Sequence, residues 1–527
     1  MITGKNIIGY EFSNLGNNTA HSYNATNGLS LSGEFIEASS SEIEAAMQKA
    51  QSAFLQFKNS SGKQRALFLR AIAEEIMNLG DDLIQRCMAE TGLPEARFKG
   101  ERARTIFQLQ SFADLLDEGS WVEARIDTAM PARKPMPRVD LRKMLIPLGP
   151  VVVFTASNFP LAYSTAGVDT ASALAAGCPV IVKNHPAHFG AGELVGQAIM
   201  KAAKRCGMPD GVFSLLNGVD FKVGETLVKH PLTKAVGFTG SFIGGKAIYD
   251  MAQSRETPIP VFAEMGSTNP VLLLPEAMKN GAETIGKDYA SSINLGVGQF
   301  CTNPGLLLGI EGVDLDRFTE SLKEGIAQAK PFTMLHKGIK ANYDKLRNET
   351  IADESVRLES ESTLEADLQK SEARPTVVSV LAKHFLQNPT MHKEVFGPFS
   401  MLVKCANADE LHQVVESVQG QLTSTLMAQG SDYTSFANTI NILKEKVGRL
   451  VFNGVPTGVE VCPAMHHGGP FPATTDSRFS SVGADAIKRF ARPISFQDCP
   501  VEILPEELKD ENSLGIWRLL NNKWTNG

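Results

Sequence analysis

The spacing of hydrophobic and polar residues changes several times along the chain. Residues 1–40 are rich in Asn, Ser, Gly and Thr, which predicts irregular chain or short strands. From Ser41 to about residue 119 apolar side chains recur at helical spacing, and Ser41 and Glu44 have the spacing of a capping box. This stretch predicts a helical layer. Between Pro131 and Pro147 apolar and charged residues interleave, which predicts a strand or hairpin that projects from its domain.

Short apolar runs separated by helical stretches begin at Gly149. The runs are continuous rather than alternating, as expected for parallel strands that are buried on both faces. Strands that alternate with helices predict βαβ units and a doubly wound sheet. The predicted strands are Val151–Phe154, Pro179–Lys183, Gly211–Leu216, Ala235–Phe238 and Ile259–Ala263. A second pattern of this kind runs from Asn269 to about Ala484, and a further strand is predicted at Pro493–Gln497.

These patterns predict an α/β fold with two doubly wound domains and a small bridging β segment. A chain of 527 residues is too long for a single core. We expect the first domain to comprise residues 1–130 and 149–265, and the second domain to comprise residues 266–484. The bridging segment then comprises residues 131–148 and 485–527. An exposed strand of this kind invites pairing with another subunit, so this segment is expected to mediate oligomerisation.

Composition and charge argue against several classes of protein. Hydrophobic residues make up 43% of the chain and charged residues 21%, as in a globular enzyme. The net charge of -7 argues against a nucleic-acid surface. We find neither a signal-peptide pattern nor an apolar run near the ~20 residues that span a bilayer. The seven cysteines show no CxxC spacing, so we expect no disulfide framework and a location in the reducing cytosol.

One cysteine lies in an unusual setting. Cys301 stands in a segment where Gly296 and Gly298 precede it and Asn303-Pro304-Gly305 follows as a turn sequence. A structural cysteine usually occupies a periodic apolar face. Here the turn residues predict that the backbone bends and comes close to a neighbouring group. Catalysis is one interpretation, and an inert free thiol is the other.

Four polar groups end predicted strands of the first sheet, where doubly wound sheets bind their ligands. Asn158 fits either a helix N-cap or an amide that donates to an oxyanion. Lys183 fits a solvated strand tip or a ligand of ribose or phosphate. Thr239-Gly240-Ser241 fits an ordinary strand-to-helix turn or a phosphate site. Glu264 fits a solvated strand end or a buried general base, whose pKa burial would raise.

Six short motifs occur in a fixed order along the chain. They are Asn158-Phe-Pro160, Lys183, Phe238-Thr-Gly-Ser241, Glu264-Met-Gly266, Gly298-Gln-Phe-Cys301 and Glu394-Val-Phe-Gly-Pro398. Each motif alone is weak evidence. Their order and spacing together resemble the aldehyde dehydrogenase superfamily over roughly residues 20–500, which is nearly the whole chain.

The resemblance implies a nicotinamide-dependent oxidation of an aldehyde. Cys301 would attack the aldehyde carbon, and the Asn158 amide with the Cys301 backbone N–H would bind the oxyanion of the thiohemiacetal. Hydride loss would then give a thioester, and Glu264 would activate the water that hydrolyses it. The first domain would bind the dinucleotide and the second would be the catalytic domain. The implied cofactor-binding residues are Phe154, Thr155, Ala156, Lys183, His185, Gly224, Gly240, Ser241, Met265, Gly266, Glu394 and Phe396.

The segment after Lys183 departs from the family pattern. Members that prefer NAD commonly carry a glutamate three residues past the lysine, which binds the ribose diol and repels a 2′-phosphate. This chain has Pro186 there. We therefore predict that NADP is accepted and preferred, with NAD as the alternative cofactor. His185 could assist the phosphate or could be structural.

A second departure bears on the substrate. His466–Gly483 replaces the usual Gly-Lys-x-Ser-Gly pattern, and with Lys183–His188 it resembles the branch that oxidises 2-oxoglutarate semialdehyde (2,5-dioxopentanoate) to 2-oxoglutarate. A carboxylate substrate needs a cationic partner, and Arg478 is a candidate, with a structural ion pair as the alternative. The pairs His466-His467 and His185-x-x-His188 have no carboxylate or thiolate spaced to complete a site, so no metal is predicted.

Other functions remain open at this stage. The nearest is an NADP-dependent dehydrogenase of medium- or long-chain fatty aldehydes. A thiol hydrolase acting on esters is disfavoured by the set of apparent cofactor contacts. A catalytically silent protein is disfavoured by the intact Cys301, Glu264 and Asn158. The resemblance also implies a homodimer or homotetramer that acts on a small-molecule aldehyde in the cytoplasm, with no nucleic-acid or membrane partner.

Overall fold

The computed structural model describes residues 1–527 and is built around two seven-stranded sheets. The first sheet has five parallel strands at its centre and two short antiparallel strands at one edge. The edge strands come from the N-terminal segment, for which the sequence predicts irregular chain or short strands. In spatial order the strands are Val261–Glu264, Ala235–Thr239, Val151–Phe154, Val180–Lys183, Phe213–Leu216, Asn6–Ile8 and Glu11–Ser13.

The second sheet is parallel except for one edge strand, Val356–Glu361. Its inner strands are mostly buried, as expected for parallel strands covered on both faces. In spatial order the strands are Val356–Glu361, Thr376–Leu381, Phe399–Cys405, Leu306–Ile310, Val271–Leu273, Gln421–Met427 and Val447–Phe452.

A third, five-stranded sheet joins the predicted bridging segment to the end of the chain. Strand Leu141–Pro147 pairs antiparallel with Ala491–Gln497 along its whole length. The short strand Arg125–Asp127, which precedes the predicted segment, also belongs to this sheet. The remaining strands are Arg518–Leu520 and Lys523–Thr525 in this sheet, and the two-stranded pairs Thr19–Tyr23 with Ser30–Ile36 and Phe332–Thr333 with Glu372–Ala373.

Helices cover the faces of the two large sheets, as expected for a doubly wound fold. The α-helices are Ser40–Phe57, Gly62–Asn78, Gly80–Thr91, Glu95–Glu118, Val168–Ala176, Phe189–Arg205, Lys222–Lys229, Phe242–Gln253, Pro275–Asn294, Val313–Gln328, Lys337–Ile351, Ala382–Gln387, Ala408–Ser417, Asp432–Ser435 and Ala437–Lys446. The 3₁₀ helices are Ser120–Val122, Pro186–His188, Leu295–Gly298, Leu368–Lys370, Pro389–His392, Ala484–Phe490, Val501–Ile503 and Glu506–Leu508. No helix combines the length and the apolar character that a membrane crossing would need.

The first helix begins two residues earlier than predicted. Ser39 is its N-cap, and Ser39 and Glu42 form the capping box. The predicted pair Ser41 and Glu44 has the same spacing, but Ser41 lies inside the first turn and the Glu44 carboxylate accepts hydrogen bonds from Gln48 and His230 instead. The prediction of the box at Ser41 was therefore wrong.

A loop from the second half of the chain returns to the first sheet. Backbone hydrogen bonds join Met265 N–H to the Ala473 carbonyl at 2.8 Å and Thr475 N–H to the Ala263 carbonyl at 3.1 Å. The loop therefore covers the open edge of strand Val261–Glu264. It brings the histidine pair that precedes it in the sequence to the carboxyl end of that strand. The boundaries proposed for the domains remain predictions.

Candidate active site

The carboxyl ends of four neighbouring strands bring the predicted groups to one edge of the first sheet. Strand register places Phe154 opposite Lys183 and Phe238 opposite Phe154. Thr239 stands opposite Glu264 on the next pair of strands. This edge is where doubly wound sheets bind ligands, so the positions follow from the topology.

The backbone before Cys301 adopts an unusual conformation. Gly296, Val297 and Gly298 have φ values of 56°, 61° and 63°, in the left-handed region that favours glycine. A Cβ atom at Gly298 would lie 2.2 Å from the Gly397 carbonyl oxygen, so no larger residue fits there. The Asn269 amide donates to the Cys301 carbonyl at 2.8 Å and fixes the turn from the other side. These contacts give the glycines before Cys301 a structural purpose.

Cys301, His467 and Glu264 form a contiguous group. Nε2 of His467 lies 3.4 Å from Sγ of Cys301 and 3.2 Å from Oε1 of Glu264. The hydroxyl of Ser481 donates to Oε2 of Glu264 at 2.5 Å. Both His467 and Glu264 are almost fully buried. The thiol, the imidazole and the carboxylate therefore meet in a nearly dry pocket, where charge interactions are strong.

The ionisation of this group differs from the sequence expectation. Burial alone would raise the pKa of Glu264, but the charge and hydrogen bond of His467, with hydrogen bonds from Ser481 and Cys301, hold that pKa below its ordinary value. The expected raised pKa is therefore wrong. Burial, followed by the charge of Glu264, raises the pKa of the Cys301 thiol well above its usual range. The resting pair is an ionised carboxylate beside a protonated thiol.

His467 is the one member of this group to which the sequence reasoning assigned no catalytic role. The statement that no carboxylate or thiolate accompanies the histidine pair is wrong, because the ligand atoms of Glu264, Cys301 and His467 all lie within 4.8 Å of one another. Sequence spacing concealed this, since His467 is 203 residues from Glu264 and 166 from Cys301. The signal that could have found it is the departure of the His466–Gly483 segment from the family pattern.

Asn158 stands beside the same loop. Its side-chain Nδ2 donates to the Gln299 carbonyl at 3.1 Å, two residues before the cysteine. An asparagine amide carries two N–H donors, so one fixes the orientation and the second remains for another acceptor. Arg97 donates to the Asn158 backbone carbonyl at 3.3 Å and holds the strand end in place. The arrangement suits the predicted oxyanion donor.

The predicted phosphate turn has the geometry of a helix N-terminus. Ser241 is the N-cap of helix Phe242–Gln253, and its hydroxyl accepts from the Gly244 N–H at 3.2 Å. The remaining first-turn N–H groups point outward, as at any helix start, and attract anions. Gly240 precedes this turn, and its N–H donates to the Glu264 backbone carbonyl at 3.0 Å. The turn and the end of strand Val261–Glu264 are thus joined directly.

Lys183 and Glu394 are half-buried ionisable side chains without an ion pair, and the charges of Glu37 and Asp220 act on Lys183 only from beyond ion-pair distance. Burial lowers the pKa of Lys183 to about 8, and the lysine forms no ion pair. Burial raises the pKa of Glu394 to about 8, although a hydrogen bond from the Ser267 backbone opposes this. A Cβ at Gly266 would lie 2.7 Å from the Glu394 carboxylate. Half-buried polar groups of this kind need partners, and hydroxyls of a dinucleotide would supply them.

The other predicted cofactor residues lie around these groups. Phe154 packs on the helix Lys222–Lys229, where a Cβ at Gly224 would approach its ring to 2.8 Å. The Thr155 hydroxyl donates to the Lys183 carbonyl at 3.1 Å, and Met265 packs against Gly245. Phe396 lines a cavity with Glu394 and Gly298. The Ala156 carbonyl accepts from His188 Nε2 at 2.8 Å.

His185 has a defined tautomer. Its Nδ1 accepts a hydrogen bond from the Ala187 N–H at 3.1 Å, so the proton of the neutral ring lies on Nε2. Burial, then the charges of His188, Lys183 and His336, lowers the pKa of His185 well below its usual value. The ring stacks on His188 with centroids 5.1 Å apart. His185 therefore offers one N–H donor beside Lys183.

Arg478 is not brought together with the other predicted residues. Its side chain is 78% exposed and forms an ion pair with Asp476 through two nitrogens, at 2.8 Å from Nε and 2.5 Å from Nη2. Its remaining contact is with the ring of Phe479. This contact matches the alternative interpretation of Arg478 from the sequence, which was a structural ion pair.

Comparison with known proteins identifies the family of the chain. The sequence profile of the aldehyde dehydrogenase family matches residues 16–470. Alpha-ketoglutaric semialdehyde dehydrogenase 2 of Azospirillum brasilense is 48% identical over 99% of both chains. Alpha-ketoglutaric semialdehyde dehydrogenase of Acinetobacter baylyi is 45% identical over 96% of both. Betaine aldehyde dehydrogenase of Staphylococcus aureus, solved with NAD⁺, covers 96% of this chain and 97% of its own with a TM-score of 0.80 at 18% identity.

The chain belongs to the aldehyde dehydrogenase family. It is therefore an oxidoreductase that acts on aldehydes, and family membership supports a nicotinamide cofactor. The fold expectation of an aldehyde dehydrogenase-like α/β architecture is confirmed.

Proposed function

We propose that this protein oxidises 2-oxoglutarate semialdehyde to 2-oxoglutarate with a nicotinamide cofactor, preferring NADP. The observation that carries the chemistry is the group of Cys301, His467 and Glu264, in which a thiol, an imidazole and a carboxylate meet within hydrogen-bond distance. The substrate assignment rests on the two relatives that match at 48% and 45% identity over nearly their whole length.

The first half of the reaction forms a bond between Cys301 and the substrate. The ionised Glu264 accepts the thiol proton as Sγ attacks the aldehyde carbon, and the carbonyl oxygen becomes an oxyanion. The free N–H of the Asn158 amide and the Cys301 backbone N–H donate to that oxyanion. His467 donates from Nε2 toward the sulfur and stabilises its negative charge as the thiol ionises. The product of this half is a thiohemiacetal.

The second half removes the substrate as an acid. Lys183, Ser241 and Glu394 at the carboxyl edge of the first sheet would hold the nicotinamide cofactor, which would supply the acceptor for hydride from the thiohemiacetal carbon and so leave a thioester on Cys301. Glu264, after releasing its first proton to solvent, takes a proton from a water molecule. The resulting hydroxide attacks the thioester carbon, and the carbon–sulfur bond breaks as the carboxylate product leaves. His467 again donates toward the departing sulfur.

Three features support a preference for NADP. Pro186 stands where many NAD-preferring members of the family have a glutamate, so no carboxylate there repels a 2′-phosphate. Lys183 is half-buried and forms no ion pair, and a phosphate would stabilise its charged form. His185 offers a neutral N–H donor next to it. We expect kcat/KM to be higher with NADP, and a strong preference for NAD would overturn this part of the proposal.

A substrate panel tests the substrate assignment. With saturating cofactor, kcat/KM for 2,5-dioxopentanoate should exceed that for hexanal and decanal by at least about 100-fold, since a site built for a charged substrate leaves buried polar groups unpaired with an apolar one. Equal or higher values for the long-chain aldehydes would assign the chain to the fatty aldehyde dehydrogenases instead. Turnover of a nitrophenyl ester without nicotinamide at a comparable rate would favour a hydrolase.

The quaternary structure of this enzyme is proposed to be a homodimer or homotetramer. The strand Ala491–Gln497 lies at the edge of the third sheet and pairs on one side only, with Leu141–Pro147. An open edge of this kind accepts a strand from a second copy. Sedimentation velocity should give a dimer or tetramer mass, and a monomer at micromolar concentration would contradict this. The cytoplasm stays the predicted location.

A further inference from the structure

Helix Glu95–Glu118 presents a polar row toward the active-site loop. Arg97, Glu101, Arg104 and Gln108 follow one another at intervals of four, three and four residues, so they share one face of the helix. Glu101 accepts hydrogen bonds from the backbone N–H groups of Leu161 and Ala162, at 2.8 and 3.0 Å. This face therefore packs against the segment that follows Asn158.

A row of aromatic rings connects this helix with the nucleophile. The ring of Phe300, adjacent to Cys301, lies 5.5 Å from that of Phe159, and Phe159 lies 5.4 Å from Tyr163. The guanidinium of Arg104 lies 5.9 Å from the Tyr163 ring centroid. The rings form a continuous wall that starts beside the sulfur and ends at a positive charge.

Arg104 is the arginine near this wall whose charge has no partner. It forms no ion pair and donates no hydrogen bond, and its Nε is buried. Arg97, by contrast, pairs with Glu101 at 3.2 Å and stacks on Phe159 and Phe300. Arg449 donates from both terminal nitrogens to the carbonyls of Pro456 and Gly458.

Two further observations point to an anionic ligand at Arg104. Gln108, next in the row and only 2% exposed, has neither its amide nitrogen nor its amide oxygen in a hydrogen bond. The half-buried Arg104, whose Nε is buried, and the buried Gln108 amide both lack partners and leave a site that favours an acceptor. Burial and the charge of Glu264 raise the pKa of the Cys301 thiol, and the charge of Arg104 opposes that rise, so the guanidinium acts electrostatically on the nucleophile.

We propose that Arg104 binds the carboxylate of the α-keto acid end of the substrate and so selects charged aldehydes over neutral ones. The inference rests on the proposed function, because it names the residue that recognises that substrate. The carboxylate of 2,5-dioxopentanoate lies at the opposite end of a five-carbon chain from the aldehyde. With the aldehyde carbon at Sγ, the carboxylate faces away from the sulfur, and the guanidinium fork of Arg104 matches a carboxylate in two hydrogen bonds.

The test compares a charged and a neutral substrate in matched variants. Arg104→Leu should lower kcat/KM for 2,5-dioxopentanoate about 10- to 100-fold, which is the loss expected when a charged hydrogen bond is removed. This loss should come mainly from a higher KM. The same variant should change kcat/KM for pentanal less than about threefold, which also shows that the protein is folded. Arg104→Lys should be intermediate, since lysine keeps the charge but loses the fork. Arg102→Leu is the control, because Arg102 on the same helix donates to the Gly80 carbonyl instead.

The outcomes separate this inference from the proposed function. If the wild-type enzyme itself prefers pentanal, the proposed function fails. If the wild type prefers 2,5-dioxopentanoate but Arg104→Leu lowers kcat/KM for both substrates equally, Arg104 does not bind the carboxylate. An Arg478→Leu variant with the selective loss expected of Arg104 would place the carboxylate at Arg478 and overturn the inference.

Discussion

Nε2 of His467 lies 3.2 Å from the Glu264 carboxylate, and the same nitrogen lies 3.4 Å from the sulfur of Cys301. A single imidazole nitrogen therefore faces both the nucleophile and the base. A histidine in a Ser–His–Asp triad uses its two nitrogens for two partners, whereas Nδ1 of His467 is buried without a hydrogen bond. The arrangement makes His467 a donor to the sulfur and to the carboxylate rather than a proton relay between them.

Removing this donor should slow catalysis. His467→Leu removes the donor that stabilises the negative charge on the Cys301 sulfur as the thiol ionises, and we expect kcat to fall about 10²- to 10³-fold, as for loss of an oxyanion donor. His467→Gln, which keeps an N–H group, should lose less. Steady-state rates with saturating substrate measure this, and His466→Leu is the matched control because His466 is only half-buried and makes no contact with Cys301.

Equal losses in His466→Leu and His467→Leu would mean that the effect comes from disturbing the loop, and the role assigned to His467 would be wrong. Melting temperatures of both variants distinguish a local effect from unfolding.

The reactivity of Cys301 should depend on the charge of Glu264. Burial, followed by the Glu264 charge, raises the pKa of the thiol, so the wild-type thiolate forms only at high pH. Glu264→Gln removes the negative charge and should lower that pKa, so that alkylation by iodoacetamide rises at lower pH than in the wild type. The modification rate of the Cys301 peptide, followed by mass spectrometry from pH 6 to pH 10, gives both profiles. Superimposable profiles would show that the carboxylate does not act on the thiol.

A buried ion pair joins the 3₁₀ helix Ala484–Phe490 to the helix Val168–Ala176. Arg489 Nη1 lies 2.7 Å from the carboxylate of Asp169, and both side chains are less than one tenth exposed. Arg489→Leu strands a buried carboxylate and should cost about 3–5 kcal/mol of stability. Arg317→Leu, which breaks an exposed pair with Glu283, should cost about 0–1 kcal/mol. The apparent melting temperature should fall further in Arg489→Leu than in Arg317→Leu. Equal decreases would contradict the larger contribution assigned to the buried pair.

Much of the fold is readable from the chain because local patterns decide it. The continuous apolar runs at Val151–Phe154 and Val180–Lys183 appear as parallel strands within a residue of the prediction. Strands that lack a continuous apolar run or distinct turn signals were not predicted. One of them is Gln421–Met427, a fully buried strand that contains Gln, Thr and Ser. The Gln421 side chain accepts a hydrogen bond from Ser267, a residue distant in sequence, which no local pattern reveals.

The residues of the site also fall into those that local sequence context marks and those that it does not. Cys301, Asn158 and Glu264 stand at strand ends or in a glycine turn, so their sequence context marks them. His467 and Arg104 carry no such mark, since one lies in a loop and the other on an ordinary helical face. They reach the site through the return of the loop at 473–475 and the packing of helix Glu95–Glu118, both long-range contacts. The lowered pKa of Glu264 follows from His467 and could not be foreseen without it.

The most direct test of the account is a single turnover with Glu264→Gln. Without its carboxylate the enzyme should still form a thioester on Cys301, because the thiol, whose pKa falls when the Glu264 charge is removed, can lose its proton to solvent, and hydride departs before water attacks. We predict a burst of reduced cofactor close to one per active site, a steady-state rate at least about 10²-fold below wild type, and an acylated Cys301 peptide in the mass spectrum. Cys301→Ala should show neither burst nor adduct. Normal turnover by Glu264→Gln, or a burst without an adduct on Cys301, would contradict the proposed roles of these two residues.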